Sequence, residues 1–233
     1  MRTLILSDIH LGSRHCNAEL VNEVLDQERY DRLVLNGDTI NSLNFRKLKR
    51  RHWELLDRFR AIGKERELIL IRGNHDHDWD HRPGAKPPTV LSTAHVLPAL
   101  LEVPMREDYR LDVGDRPYLI LHGDRFDPTL NYPMLTDVAV MCYQFTTKLN
   151  KKLAKWLKKK SKRLGGLLEL IRAQSVAYAR AEKLEGVVTG HTHYAEDLVL
   201  DDVHYLNSGS WTESPCSYVT IENSAARLHH VSD

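Results

Sequence analysis

Five short apolar runs in this chain each stop at a cluster of polar residues, and no other feature narrows the fold as much. Thr3-Leu4-Ile5-Leu6 runs into Ser7-Asp8-Ile9-His10, Arg32-Leu33-Val34-Leu35 into Asn36-Gly37-Asp38, and Leu68-Ile69-Leu70-Ile71 into Gly73-Asn74-His75-Asp76. Tyr118-Leu119-Ile120-Leu121 meets His122-Gly123-Asp124, and Gly186-Val187-Val188 meets Thr189-Gly190-His191-Thr192-His193. Runs this short and continuously apolar read as strands buried on both faces. Helical spacing over 18–29 (Leu20, Val21, Val24, Leu25) and over 45–62 (Phe45, Leu48, Leu55, Leu56, Phe59, Ile62), the second ending at Gly63, separates the first three. The order β-α-β-α-β predicts an α/β protein with a parallel sheet covered on both sides. In such sheets ligands bind outside the carboxyl ends of the strands, which is where all five polar clusters would meet.

Beyond the third strand lies a Pro-rich loop (Pro83 to Pro88), then a strand pair at 111–113 and 118–121. The stretch 132–184 is helical in pattern and reads as an insertion. The last forty residues alternate in short runs (198–200, 203–206, 218–221, 228–231), the pattern of antiparallel strands. With 233 residues and roughly 150 per domain, the expectation is one domain over 1–233 carrying a helical insertion. A chain that is 42% hydrophobic and 28% charged buries a sizeable core, which excludes disordered and fibrous classes. No run approaches the roughly 18 apolar residues of a membrane span, and charge at Arg2 and Asp8 interrupts any signal-like core. A cytoplasmic protein is expected. Cys16, Cys142 and Cys216 are widely spaced with no CxxC pair, so neither a disulfide framework nor a thiolate zinc site is supported.

The polar clusters carry the chemistry. In extended chain residues i and i+2 point the same way, so Asp8 and His10 can share one target. Imidazoles and carboxylates without thiolates suit Mn, Fe, Zn, Co or similar divalent ions. Asp8, His10, Asp38, Asn74, His122, His191 and His193 supply seven side chains, and if Asp38 bridges, each of two ions receives four. Two such ions can clamp the attacking and leaving oxygens of an in-line displacement at phosphorus. Asn74 would bind through a neutral carbonyl oxygen, which keeps the site cationic enough to attract a phosphate. His77, Asp78, Asp80 and His81 extend the third cluster and read as a polar loop or as extra ligands.

The motifs DxH, GD, GNHD, HGD and GHTH, in this order, resemble the calcineurin-like metallophosphoesterase superfamily. The resemblance covers nearly the whole chain and implies a four-layer α/β/β/α sandwich with a helical cap insertion and a dinuclear metal centre. It puts Asp8, His10, Asp38 and His193 on one ion and Asp38, Asn74, His122 and His191 on the other. The histidine of GNHD, His75, then lies beside the ions, where it assists phosphate binding or protonates the leaving group, with Asp76 orienting its ring. Where the family often reads GDxxD, this chain has Gly37-Asp38-Thr39-Ile40-Asn41. Leu11 to Cys16, His122 to Asp127 and Tyr205 to Glu213 also resemble the UDP-2,3-diacylglucosamine pyrophosphatase group, although enzymes of the lipid A pathway carry Arg where His75 stands here. Arg14 and Arg125 follow metal motifs and read either as phosphate-binding residues or as surface ion-pair partners.

The net charge of +1 conceals an asymmetry. Nine of the 33 bases lie between Lys148 and Arg163 with no acid among them, leaving 24 bases against 32 acids elsewhere. With Leu149, Leu153, Trp156, Leu157 and Leu164 at helical spacing, 148–163 resembles an interfacial membrane helix, and a solvated cap or a nucleic-acid contact are its alternatives. In the resembled group the insertion is a lid over acyl chains. The expected partner is therefore a phosphate-containing substrate, free or lipid-linked, with the protein cytoplasmic and peripheral at the inner membrane surface. A nuclease or nucleotide phosphodiesterase on the same centre, and a non-catalytic metal-binding scaffold, are the competing functions.

Overall fold

Three apolar runs from the first half of the chain form β1 (Arg2–Leu6), β2 (Arg32–Asn36) and β3 (Glu67–Ile71), paired in parallel with Ile5 beside Val34 and Val34 beside Ile69. The computed structural model describes residues 1–42, 44–76, 93–114, 116–131, 166–223 and 225–231. The expectations for His77, Asp78, Asp80 and His81, the Pro-rich loop, Cys142 and the basic stretch 148–163 lie outside the described residues.

Each central strand is apolar throughout because each of its faces has its own core. Successive side chains alternate across a strand. Leu4, Leu6, Leu33, Leu35, Leu68 and Leu70 pack beneath α1 (Ala18–Gln27) and α2 (Arg50–Glu65), with Leu55 and Phe59 of α2 among them. Ile5, Val34, Ile69 and Ile71 turn the other way and meet Ile120, Val188 and Leu206 of a second sheet. That sheet runs β5 (Asp108–Leu111), β6 (Tyr118–Leu121), β7 (Gly186–Thr189), β9 (Val203–Asn207), β8 (Glu196–Leu200), with β6, β7 and β9 parallel. Its outer face, through Leu119, Leu121, Val187 and Tyr205, is covered by Val176 and Ala179 of α4 (Leu167–Ala181). Three apolar layers between four tiers of elements make the α/β/β/α sandwich. The first sheet is completed by β4 (Met105–Arg106) beside β3 and by the antiparallel pair β10 (Cys216–Glu222) and β11 (Ala225–Val231) beside β1.

The elements depart from the sequence reading in four places. α2 runs past Gly63 to Glu65, because Gly63 gives Leu68 and Val103 room to approach the helix and does not end it. Phe45–Lys47 form a separate 3-10 turn before α2. The strand expected at 111–113 is 108–111, its register fixed by pairing Asp108 with Leu121 and Leu111 with Tyr118. α3 (Thr93–Leu101) went unread because Pro98 sits inside it. The expected insertion 132–184 reaches the described residues only at its end, where α4 forms the outer layer on the second sheet. No helix among the described residues is long and apolar enough to cross a membrane.

Candidate metal centre

The parallel strands of both sheets deliver their carboxyl ends to one edge of the sandwich. The loops there are zipped together by backbone bonds: the Asp8 N–H donates to Gly37 O (3.2 Å), the His10 N–H to Asp38 O (2.9 Å) and the Gly190 N–H to His122 O (2.9 Å). Asp8, His10, Asp38, His191 and His193 all have left-handed backbones, with φ between 51° and 63°. Non-glycine residues rarely adopt this conformation, which costs on the order of 1–3 kcal/mol each and gathers at functional sites. Gly190 is required by close approach: a Cβ there would lie 2.5 Å from Asp8 Oδ2 and 2.7 Å from Ser7 Oγ.

The seven side chains meet in two overlapping groups. In the first, His193 Nε2 lies 3.1 Å from Asp8 Oδ1 and 3.1 Å from His10 Nε2, and His10 Nε2 lies 3.6 Å from Asp38 Oδ2. In the second, His122 Nε2 lies 3.5 Å from Asp38 Oδ1 and 3.3 Å from Asn74 Oδ1, and His191 Nδ1 lies 2.9 Å from Asn74 Oδ1. Asp38 belongs to both. Asp8, Asp38, His10 and His122 are buried.

This donor set fits divalent cations. His122 donates its Nδ1–H to the Asn36 carbonyl (2.9 Å), which leaves Nε2 as the nitrogen aimed at the oxygens of Asp38 and Asn74. Asp8 accepts the His191 N–H on Oδ2 (3.0 Å) and turns Oδ1 toward the histidines. Lone pairs crowded around a common centre are stable only with positive charge among them. The same field acts on protons. Burial alone would raise the Asp38 carboxyl, yet the imidazoles of His122, His75 and His10 hold it well below the ordinary range. Burial alone would lower His122, yet the carboxylates of Asp38 and Asp8 pull it well above its usual value. Burial leads at His10 and brings it down to about 3, so this ring is neutral, the form that binds metal.

His75 stands beside the cluster, half exposed, with its Nε2 3.9 Å from Asp38 Oδ2 and its ring edge-on to His10 at 4.8 Å. Its orientation corrects the role expected of Asp76. The His75 Nδ1–H donates to the backbone carbonyl of Asn41 (2.9 Å), whereas Asp76 Oδ2 accepts the N–H groups of Asp38 (2.8 Å) and Gly73 (3.0 Å). Asp76 is fully buried beneath the loop, so it fixes the left-handed Asp38 and does not reach the His75 ring. Burial and the neighbouring Asp38 charge raise its carboxyl to about 7. Asn41, which stands where the family motif has its second acid, supplies the ring's partner from its backbone.

Arg14 and Arg125 lie outside the cluster. Arg14 is exposed on the loop after His10, with its Nε donating to His15 Nε2 (3.1 Å). Arg125 pairs with Asp108 (2.8 Å) beside Phe126 and Tyr178, the surface ion-pair arrangement. Two acids near the ligands were not singled out from the sequence: Asp127, 2.7 Å from His191 Nε2, and Glu213, 3.6 Å from His193 Nδ1. Both lie within the stretches that carry the closer resemblance, but each is an ordinary loop acid there.

The fold recurs in solved structures. The phosphoesterase Yfce from E. coli superposes with a TM-score of 0.52 at 18% identity, over 96% of this chain and 89% of that one. A hypothetical protein from Pyrococcus horikoshii superposes at 0.53 and 10% identity, over 99% of this chain and 86% of that one. An archaeal phosphodiesterase does so at 0.50 and 15%, over 99% and 100%. No curated protein sequence matches the chain significantly. Residues 1–195, which hold every one of the clustered side chains, match the family model described as calcineurin-like phosphoesterase. The chain therefore belongs to the calcineurin-like phosphoesterase family, hydrolases that act on phosphoester bonds.

Proposed function

We propose that this protein is a dinuclear hydrolase of a phosphodiester or pyrophosphate bond in a nucleotide-linked or amphiphilic substrate such as a UDP-diacylglucosamine-like lipid, with Asp8, His10, Asp38 and His193 holding one divalent ion and Asp38, Asn74, His122 and His191 the other. The observation that carries this reading is the convergence of those seven side chains from five strand ends, with Asp38 common to both groups. Manganese is the preferred ion, with iron, zinc and cobalt as alternatives that the same ligands suit. When bound, the ions supply Lewis acidity for activating water and neutralising charge at phosphorus.

The rest falls to the chain's own groups. Asn41 fixes His75 with Nδ1 as donor, which leaves Nε2 toward the cleft to hold a proton and pass it to the departing oxygen. Arg14, Arg46, Lys47 and Lys49 are exposed, and none has an acidic partner within 4 Å among the described residues. Lys47 packs beside Gly12, two residues after His10, and the Gly12 and Lys49 N–H groups both donate to His52 Nδ1 (3.1 and 3.3 Å), so these two lysines stand near the loop that carries His10 and suit a substrate with more than one phosphate. The nine bases of 148–163 extend this reading to a peripheral position on an anionic membrane surface.

The test is hydrolysis by manganese-loaded protein, comparing UDP-diacylglucosamine, short nucleotides and an aryl phosphodiester. His75→Ala should keep its ions and lose about 10²–10⁴-fold in kcat. Unchanged turnover would reject the proton-transfer role, and salt-sensitive cleavage of nucleic acid alone would transfer the substrate assignment to a nuclease.

A further inference from the structure

His191 has two ring nitrogens with different tasks: Nδ1 faces Asn74 Oδ1 at 2.9 Å inside the cluster, and Nε2 faces Asp127 Oδ2 at 2.7 Å outside it. Asp127 is itself held. Its Oδ1 accepts both the backbone N–H of Thr129 (2.8 Å) and the Thr129 hydroxyl (2.6 Å), and the residue is only 7% exposed. With two donors on Oδ1, the carboxylate is held as an acceptor and its Oδ2 is left for His191.

We infer that Asp127 is a positioning residue that locks the tautomer of His191: by accepting the Nε2–H it keeps the proton off Nδ1, the one nitrogen of that ring able to bind the ion shared with Asn74 and His122. The inference rests on the proposed metal centre for its consequence and on Asp127 alone for its cause. A neutral imidazole carries one N–H, and its site is set by the partner of the other nitrogen. A carboxylate can only accept, so the proton must sit on Nε2 and the lone pair on Nδ1.

The chemistry of the substitution sharpens this into an ordering that a merely structural residue would not produce. In Asp127→Asn one of the two acceptor oxygens becomes an NH2 group. The Thr129 backbone N–H can only donate, so the amide oxygen stays toward Thr129 and the NH2 turns to His191 Nε2. That nitrogen must then accept, the proton moves to Nδ1, and the lone pair for the ion is lost. Asp127→Ala removes the lock without reversing it, because water in the space left can accept the Nε2–H. The more conservative replacement should therefore be the more damaging one.

Two measurements on the full chain test this. Nitrogen–proton correlation spectra of the metal-free protein at mildly alkaline pH should show His191 as the Nε2–H tautomer in the wild type and as the Nδ1–H tautomer in Asp127→Asn. Titration with manganese should show the second ion weakened about 10–100-fold in Asp127→Ala and further in Asp127→Asn, with the first ion unchanged in both. An unchanged tautomer in Asp127→Asn, or binding by Asp127→Asn as tight as by Asp127→Ala, overturns the inference. Because the spectra need no metal, a wild type that takes up no second ion defeats the metal-centre reading and leaves the tautomer result to decide the role of Asp127.

Discussion

Asp38 is the residue on which most of the centre's geometry depends. Its Oδ2 faces His10, its Oδ1 faces His122 and also accepts the His75 N–H at 2.8 Å, and its own amide is pinned by Asp76. Asp38→Asn removes one charge from both groups at once and offers a donor where an acceptor is needed. Elemental analysis should find fewer than one ion per chain in this variant against two in the wild type, and two ions retained would refute the bridging role. The clustered side chains themselves were legible in the sequence, because each follows an apolar run and is of a type that divalent ions select. Their supports were not. Asp127 lies 64 residues from His191, in a loop where an acid is unremarkable. The carbonyl that orients His75 belongs to a backbone and leaves no trace in residue type.

Among the elements, α2 stands out for being charged against its own dipole. Lys49 occupies its N-cap with an extended backbone, Arg50 and Arg51 follow, and the first turn contains no acid. The unpaired N–H groups at a helix start favour acids and capping oxygens, so this arrangement stabilises the helix less than an acidic first turn does. Lys49→Asp should add about 1 kcal/mol and raise Tm by about 2–4 °C for a domain of this size, as read by calorimetry. The same change should raise KM for a polyphosphate substrate, because it reverses a charge at the rim of the cleft. A lower Tm would contradict the helix argument, and an unchanged KM would remove Lys49 from the substrate's path. The strands and the two long helices near the start were readable because periodicity reports burial, and burial is double-sided here. β4, with two residues, carries no period, and Pro98 masks the one in α3.

At the scale of the molecule, several buried acids respond to alkali. Burial raises the Cys16 thiol from 9.0 to about 12, and raises the Tyr118 hydroxyl, 2.9 Å from His204 Nδ1, from 10.0 to about 12. The fold favours the protonated form of both groups, so the unfolded chain loses protons first as pH rises. Their contribution is whole below about pH 9 and is lost progressively toward about pH 12. Urea midpoints should be flat up to that lower limit and fall above it, with a shallower fall in Tyr118→Phe. An equal slope in that variant would show that Tyr118 takes no part.

The centre is also divided between the two sheets. Asp8, His10, Asp38 and Asn74 hang from β1, β2 and β3, while His122, His191 and His193 hang from β6 and β7, and each group of ligands draws on both. Neither half of the sandwich holds either cluster whole. Because β10 and β11, the last strands of the chain, complete the sheet that begins with β1, both clusters come together only when the two ends of the sequence have met and the sheets have packed face to face.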